Sequence, residues 1–258
     1  MLQFLADLAA HLPDMPVLVL LAAAILIAGL VRGFSGFGAA MIFMPVASTV
    51  IEPRAAAAGF LVLDALVTLP LLFGAIRRCD WATVLPVSLS AMAVVPVGAA
   101  ILAHADTTVL RWVLSAIVLA AVAILLLGWR YSGRPRLAAS LGVGAAAGLL
   151  SGVSQVAAPP VVVFWAAGPN PPQTIRANLI VFFAIVSLSA FAAFYLNGFY
   201  DTGVVVLVAA LAPVYGLGIL AGARLFGTAA PAVYRPVAYG IILLAAISSL
   251  PALDTWLR

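Results

Sequence analysis

The sequence predicts an all-α polytopic membrane protein made of two inverted five-element repeats. Three observations predict it. Of 258 residues, 66% are hydrophobic and 8% charged, where a soluble domain carries about 25% charged residues. Apolar stretches long enough for a ~30 Å hydrocarbon core follow one another throughout the chain. And Gly29-Leu-Val-Arg-Gly-Phe-Ser35 returns 119 positions later as Gly148-Leu-Leu-Ser-Gly-Val-Ser154. Gly29/Gly148, Leu30/Leu149, Gly33/Gly152 and Ser35/Ser154 are identical pairs. A glycine-broken segment at the same place in both halves of a duplicated membrane chain points to a transporter binding region.

The elements follow in order. The first, 16–32, ends at Arg32; no basic residue precedes Arg32, so the segment reads as a retained helix and not as a cleaved signal. The second, 36–51, opens on glycines and stops at Glu52-Pro-Arg54. The third, 55–76, is an apolar run with Asp64 inside it, closed by Arg77-Arg-Cys-Asp80. The fourth, 82–103, stops at His104-Ala-Asp106, and the fifth, 108–129, before Ser132-Gly-Arg-Pro135. The second half repeats the set at 137–151, 156–168, 175–196, 203–224 and 234–253. Its dividers are Gly168-Pro-Asn-Pro-Pro172, Asn197-Gly198 and the stretch from Gly227 to Pro236. Residues 1–130 and 131–258 are thus two repeats of one integral membrane domain.

The first two elements of each half fall short of the ~20 residues of a full span. They are expected to be broken, crossing in kinked form or re-entering as hairpins. Irregular backbone at membrane depth survives only beside protein or a water-lined space, so both forms place these pairs at a cavity. Pro159-Pro160 and Pro171-Pro172 bar a straight full-length helix between them.

All twelve basic residues are arginine. With loops 77–78 and 130–136 in the cytoplasm, nine arginines lie inside: Arg32, Arg77, Arg78, Arg130, Arg134, Arg136, Arg176, Arg224 and Arg235. Arg54, Arg111 and Arg258 lie outside, a usable positive-inside bias. Both termini are then outside. Five elements per half is an odd number, so the halves are inverted. This scatter of arginines suits membrane topology and gives no nucleic-acid patch. Cys79, the single cysteine, has no partner for a disulfide or redox pair. Two histidines and eight scattered acids form no metal cluster and no nucleophile–base pair, so no enzyme, metal or cofactor is expected.

Arg32-Gly-Phe-Ser-Gly-Phe-Gly38, followed by Pro45, resembles the TauE/SafE family of sulfite and organosulfonate exporters. So does Gly148 to Ser154 through Pro159, and the short loop into Arg176-Ala177. The second copy departs from the glycine-rich pattern, with Gln155, Ala157 and Ala158 where small glycines are common. The resemblance implies movement of small sulfur-containing or other organic anions, usually outward, with no ATP-hydrolysing part in the chain.

An anion entering the membrane must replace its lost water. Amides exposed at half-helix N-termini suit that task. Gly33, Ser35, Gly36 and Gly38 fit it in the first half, and Ser151, Gly152, Ser154 and Gln155 in the second. The competing reading of the glycines is close helix packing. Arg32 beside the first break, and Arg176 with Asn178 at the start of the eighth element, suit an oxyanion. Arg54 matches Arg176 in the repeat, although Glu52 could neutralise it. Asp64, deep in the third element, is a candidate for proton coupling or a structural counter-ion. His104, Asp106, Asp80 and Asp201 read as solvated loop residues.

The expected function is a secondary transporter exporting a small organic or sulfur-containing anion, such as sulfite or a sulfonate, across the inner membrane by alternating access. Proton-coupled anion uptake and an anion channel are the alternatives. The partners are the anion and the bilayer; a homo-oligomer is compatible with both.

Overall fold

The computed structural model describes residues 12–127, 136–166, 168, 170–226 and 247. The described residues form nine helices: α1 (Met15–Ser35), α2 (Ala39–Ala47), α3 (Pro53–Ile76), α4 (Trp81–His104), α5 (Thr107–Leu127), α6 (Leu137–Ser154), α7 (Ala158–Ala166), α8 (Pro172–Leu196) and α9 (Thr202–Phe226). Apart from residue 247, the tenth expected element, 234–253, lies outside the described residues, as do the loop arginines Arg130, Arg134, Arg235 and Arg258.

Local chemistry explains the boundaries. Proline stands in the first turn of α1, α3 and α8, where its missing N–H costs nothing. Asp106 Oδ1 accepts the Thr108 amide at 2.8 Å, and Asp201 Oδ1 accepts the Val204 amide at 2.7 Å. These two loop acids therefore satisfy orphan donors at the starts of α5 and α9.

Six described helices are long and apolar enough to cross a membrane: α1, α3, α4, α6, α8 and α9. Their outward residues are apolar and bare, as lipid-facing residues are: Phe73, Leu188 and Leu196 are exposed. Helices α2 and α7 have nine residues each, or about 14 Å at 1.5 Å per residue, half of a hydrocarbon core. They are buried instead, with Met41, Phe43 and Met44 on α2 and Val161 and Trp165 on α7 almost fully covered.

One expectation is corrected. The first element of each half is not short: α1 has 21 residues and α6 has 18. The helices run on through Arg32–Ser35 and Ser151–Ser154, because the glycines there are consumed by packing. The breaks come later, at 36–38 and 155–157.

The long helices exchange partners between halves. α1 packs on α9, and α4 on α6. A Cβ on Gly29 would meet the Tyr215 carbonyl oxygen at 2.9 Å, and one on Gly148 would meet Ala91 Cα at 2.7 Å. Gly33 lies against the Ile219 carbonyl as Gly152 lies against that of Val95. Gly222 lies against the Leu30 carbonyl as Gly98 lies against that of Leu149. The same backbone-to-backbone interface thus occurs twice, each time between helices of opposite halves. Only residues without side chains permit this approach. Helix α3 packs on α8, and the short helices sit among the long ones.

Candidate functional site

The first break begins one turn after Arg32. Gly36 ends α1 in the left-handed region, at φ 82°, and its amide donates to the Arg32 carbonyl at 2.7 Å. Gly38, at φ 92°, then starts α2. Glycine adopts both conformations without Cβ strain. No side chain caps α2; the Met41 amide donates to the Gly38 carbonyl at 3.1 Å, which leaves the amides of Ala39 and Ala40 for a ligand.

The second break uses another residue for the same geometry. Gln155 stands where Gly36 stands in the first half and takes a left-handed φ of 59°. Its own side chain supports the turn: the backbone amide and Nε2 both donate to the Ser151 carbonyl, at 3.0 and 2.7 Å. Ser154 Oγ donates to the Leu150 carbonyl at 2.8 Å and accepts the Val156 amide at 3.3 Å. The departure from glycine in this copy is therefore compensated locally. Pro159 and Pro160 remove two amides from the start of α7, so the two breaks offer unequal numbers of donors.

Between the breaks lies a cavity of about 30 Å³. The first turn of α2 forms one side, Ser151 and Gln155 another, and Phe60 and Phe183 act as walls. Its two charged lining residues are Arg32 and Asp64. Arg32 Nε lies 2.7 Å from Asp64 Oδ1, and Nη2 donates to Oδ2 at 2.8 Å. Nη2 also donates to Thr68 Oγ1 at 2.9 Å. The Tyr215 hydroxyl donates to Asp64 Oδ1 at 3.0 Å. The guanidinium carbon sits 5.7 Å from the Phe183 ring centre, within cation–π range. The pair is 11% and 14% exposed. Removing two charges from water is costly unless each is paired and hydrogen-bonded, and here α1, α3 and α9 together meet that condition.

Of the residues singled out from sequence, Arg32, Gly38, Asp64, Ser151 and Gln155 meet at this cavity. Arg176 lies alongside: its side chain covers Gly36, with Cγ and Nε 3.6 Å from where a Cβ would stand. No hydrogen bond or ion pair holds its guanidinium among the described residues. The others are elsewhere. Gly33 and Gly152 serve helix packing, and the side chain of Ser35 lies outside the described residues. Arg54 Nε donates to the Leu102 carbonyl at 3.1 Å, closing the end of α4. Asn178 is buried, and its Oδ1 accepts the Asp80 amide at 2.7 Å, tying α8 to the start of α4. Sequence reasoning missed Tyr215, Thr68 and Ser187. Thr68 stands one turn after Asp64, a spacing that puts both on one helix face; Tyr215 gives no comparable local signal.

The family model for the sulfite exporter TauE/SafE matches residues 21–249. A relative from Cupriavidus necator, described as a probable sulfite/organosulfonate exporter TauE, is 32% identical over 238 residues. The match covers 86% of this chain and 90% of that protein. No solved structure matches. Six described helices long and apolar enough to span, together with these matches, make the protein a multi-pass protein of the inner membrane. The duplicated break, the cavity it encloses and the match over most of the length converge on one assignment: the chain belongs to the TauE/SafE family of sulfite exporters.

Proposed function

We propose that the protein is a secondary carrier that exports a small sulfur-containing oxyanion, sulfite or an organosulfonate, by alternating access. One observation carries this reading: a buried guanidinium, Arg32, faces a cavity at the open N-terminus of the half-helix α2. Both features favour an oxyanion that has shed its water. An inside-negative potential favours exit by about 2.3 kcal/mol per charge per 100 mV, so export proceeds without a coupled ion. The name of the Cupriavidus necator relative supports the substrate class.

Residues 1–130 and 131–258 act as repeats of opposite sense across the bilayer, and their two matching interfaces, α1 on α9 and α4 on α6, are the surfaces about which one half rocks on the other. The cavity of about 30 Å³ holds two or three waters, since one water needs about 10–15 Å³. A four- or five-atom oxyanion requires it to widen, so the described state is a closed one.

Arg176→Ala is the cleanest test, because no described partner depends on that side chain. Proteoliposomes loaded with sulfite should show saturable efflux with the wild-type protein and lose it with Arg176→Ala, while membrane insertion and thermal stability stay normal. Full efflux in the variant would remove Arg176 from the route. Non-saturable flux in the wild type would favour a channel.

A further inference from the structure

We infer that Asp64 is the stand-in anion of the unloaded carrier. It occupies Arg32 until an oxyanion replaces it, and takes Arg32 back when the oxyanion leaves, so that the unloaded protein can turn. The inference rests on the proposed transport of an oxyanion and adds how the site recovers between substrates.

In the closed state Arg32 is already neutralised. Its Nε and Nη2 meet the two oxygens of Asp64 at 2.7 and 2.8 Å. A guanidinium offers that side-on fork to any two neighbouring oxygens, those of a sulfite or sulfonate included. Arg32 and Asp64 are the charged lining residues of the cavity among those described, and Ser151, Gln155 and Ser187 are neutral. The lining therefore sums to zero net charge. Asp64 sits on donors that an arriving anion needs.

The hydrogen bonds allow the two anions to trade places. Nη1 has no hydrogen-bond partner among the described residues. Its two N–H groups can take the first oxygen while Asp64 still holds the other edge of the fork, so Arg32 is never bare. Asp64 has one further hold among the described residues, the Tyr215 hydroxyl at 3.0 Å. That neutral donor is weaker than a guanidinium and keeps the released carboxylate close. Thr68 is bonded to Nη2 and not to Asp64, so it stays with the arginine. Arg32 lies on α1, Asp64 on α3 and Tyr215 on α9. Breaking the pair therefore loosens α3 from α1 and leaves it tied to α9.

The return step depends on Asp64. In the loaded site the substrate faces Arg32 and the Ala39 and Ala40 amides at the positive end of α2. Once it leaves, a guanidinium and a helix N-terminus remain together. Closing over them without an anion buries an unpaired charge, which is the costly case. Re-pairing with Asp64 removes that cost.

Proteoliposomes loaded with labelled sulfite separate the two parts of the cycle. Net efflux into sulfite-free buffer requires the unloaded protein to return. Exchange against unlabelled sulfite outside does not. Asp64→Asn keeps the shape and removes the charge, and should raise the ratio of exchange to net efflux at least about tenfold over the wild type. Asp64→Glu, which restores the carboxylate, should bring the ratio back down. A folded Asp64→Asn protein with the wild-type ratio would overturn the inference. So would a folded one that loses exchange and efflux together, the behaviour of a merely structural residue. A wild-type measurement stands even if Asp64→Asn fails to assemble: in protein with isotopically labelled aspartate, saturating sulfite should shift an aspartate carboxylate band in the infrared difference spectrum, as Asp64 leaves Arg32. Bound sulfite with no such shift would also overturn the inference. If the wild-type protein shows neither exchange nor efflux of sulfite, the oxyanion reading itself falls and takes this one with it. Normal wild-type transport with an unchanged ratio in folded Asp64→Asn removes the stand-in role alone.

Discussion

Breaking the Arg32–Asp64 pair should separate what it does for folding from what it does for transport. Truncating one partner of a buried ion pair typically costs about 3–5 kcal/mol, because the other charge is left uncompensated. Arg32→Met strands Asp64 with one remaining donor, the Tyr215 hydroxyl. Asp64→Leu strands Arg32 with Thr68 and the face of Phe183. Each single variant should lose about that 3–5 kcal/mol. The double variant Arg32→Met/Asp64→Leu has no stranded charge. Its residual cost is the buried hydroxyls of Tyr215 and Thr68, both now without their partners, at about 1–3 kcal/mol each. Adding Tyr215→Phe removes the first of these, so the triple variant should be more stable than the double one and still transport nothing. Thermal unfolding in detergent, followed by loss of the monodisperse peak on size exclusion, ranks the four variants. A double variant as unstable as either single one would refute the reasoning, since the charges would then not compensate each other. So would single variants as stable as the wild type.

Two other expectations are simpler. Gly148→Val would drive a side chain into the backbone of α4, where Ala91 Cα already lies 2.7 Å from an added Cβ. That clash is a backbone one without a rotamer escape, and should cost more than about 3 kcal/mol and leave little folded protein in the membrane. Cys79 reports orientation: it lies between α3 and α4, partly covered. A membrane-impermeant maleimide should label it in inside-out vesicles and not in right-side-out ones; the opposite pattern would reverse the assigned topology. Burial, with Asp80 adding to it, pushes its thiol above the usual range. The thiolate is the reactive form, so labelling near neutral pH should be slower than for a free cysteine and should accelerate as pH rises.

The elements were legible because apolar runs and Gly, Pro and Asp punctuation are local signals. Helix α3 begins at Pro53 and ends at Ile76, close to the 55–76 expected from those signals alone. The breaks were legible only approximately. Gly33 and Gly36 look alike in sequence, yet Gly33 continues a helix against α9 while Gly36 ends one; the difference is set by a helix almost two hundred residues away. Arg54 and Arg176 match in the repeat but part company in space. Arg54 is committed to the Leu102 carbonyl, and Arg176 lies over Gly36. The depth of Asp64 marked it as a candidate for function or for a structural counter-ion. Its partners Arg32 and Tyr215 lie on two other helices with no fixed spacing to it, so no pattern along the chain announced that they would hold it.

The exchanged helix partners have a consequence for biosynthesis. A ribosome releases α1 well before α9, so α1 waits through the synthesis of the helices between them for the ridge its glycines fit. During that wait its glycine face meets lipid or the insertion machinery. Neither half, made alone, would contain the mate of its own opening helix, so a gene cut near the middle should yield a working product only when both pieces are synthesised in the same membrane.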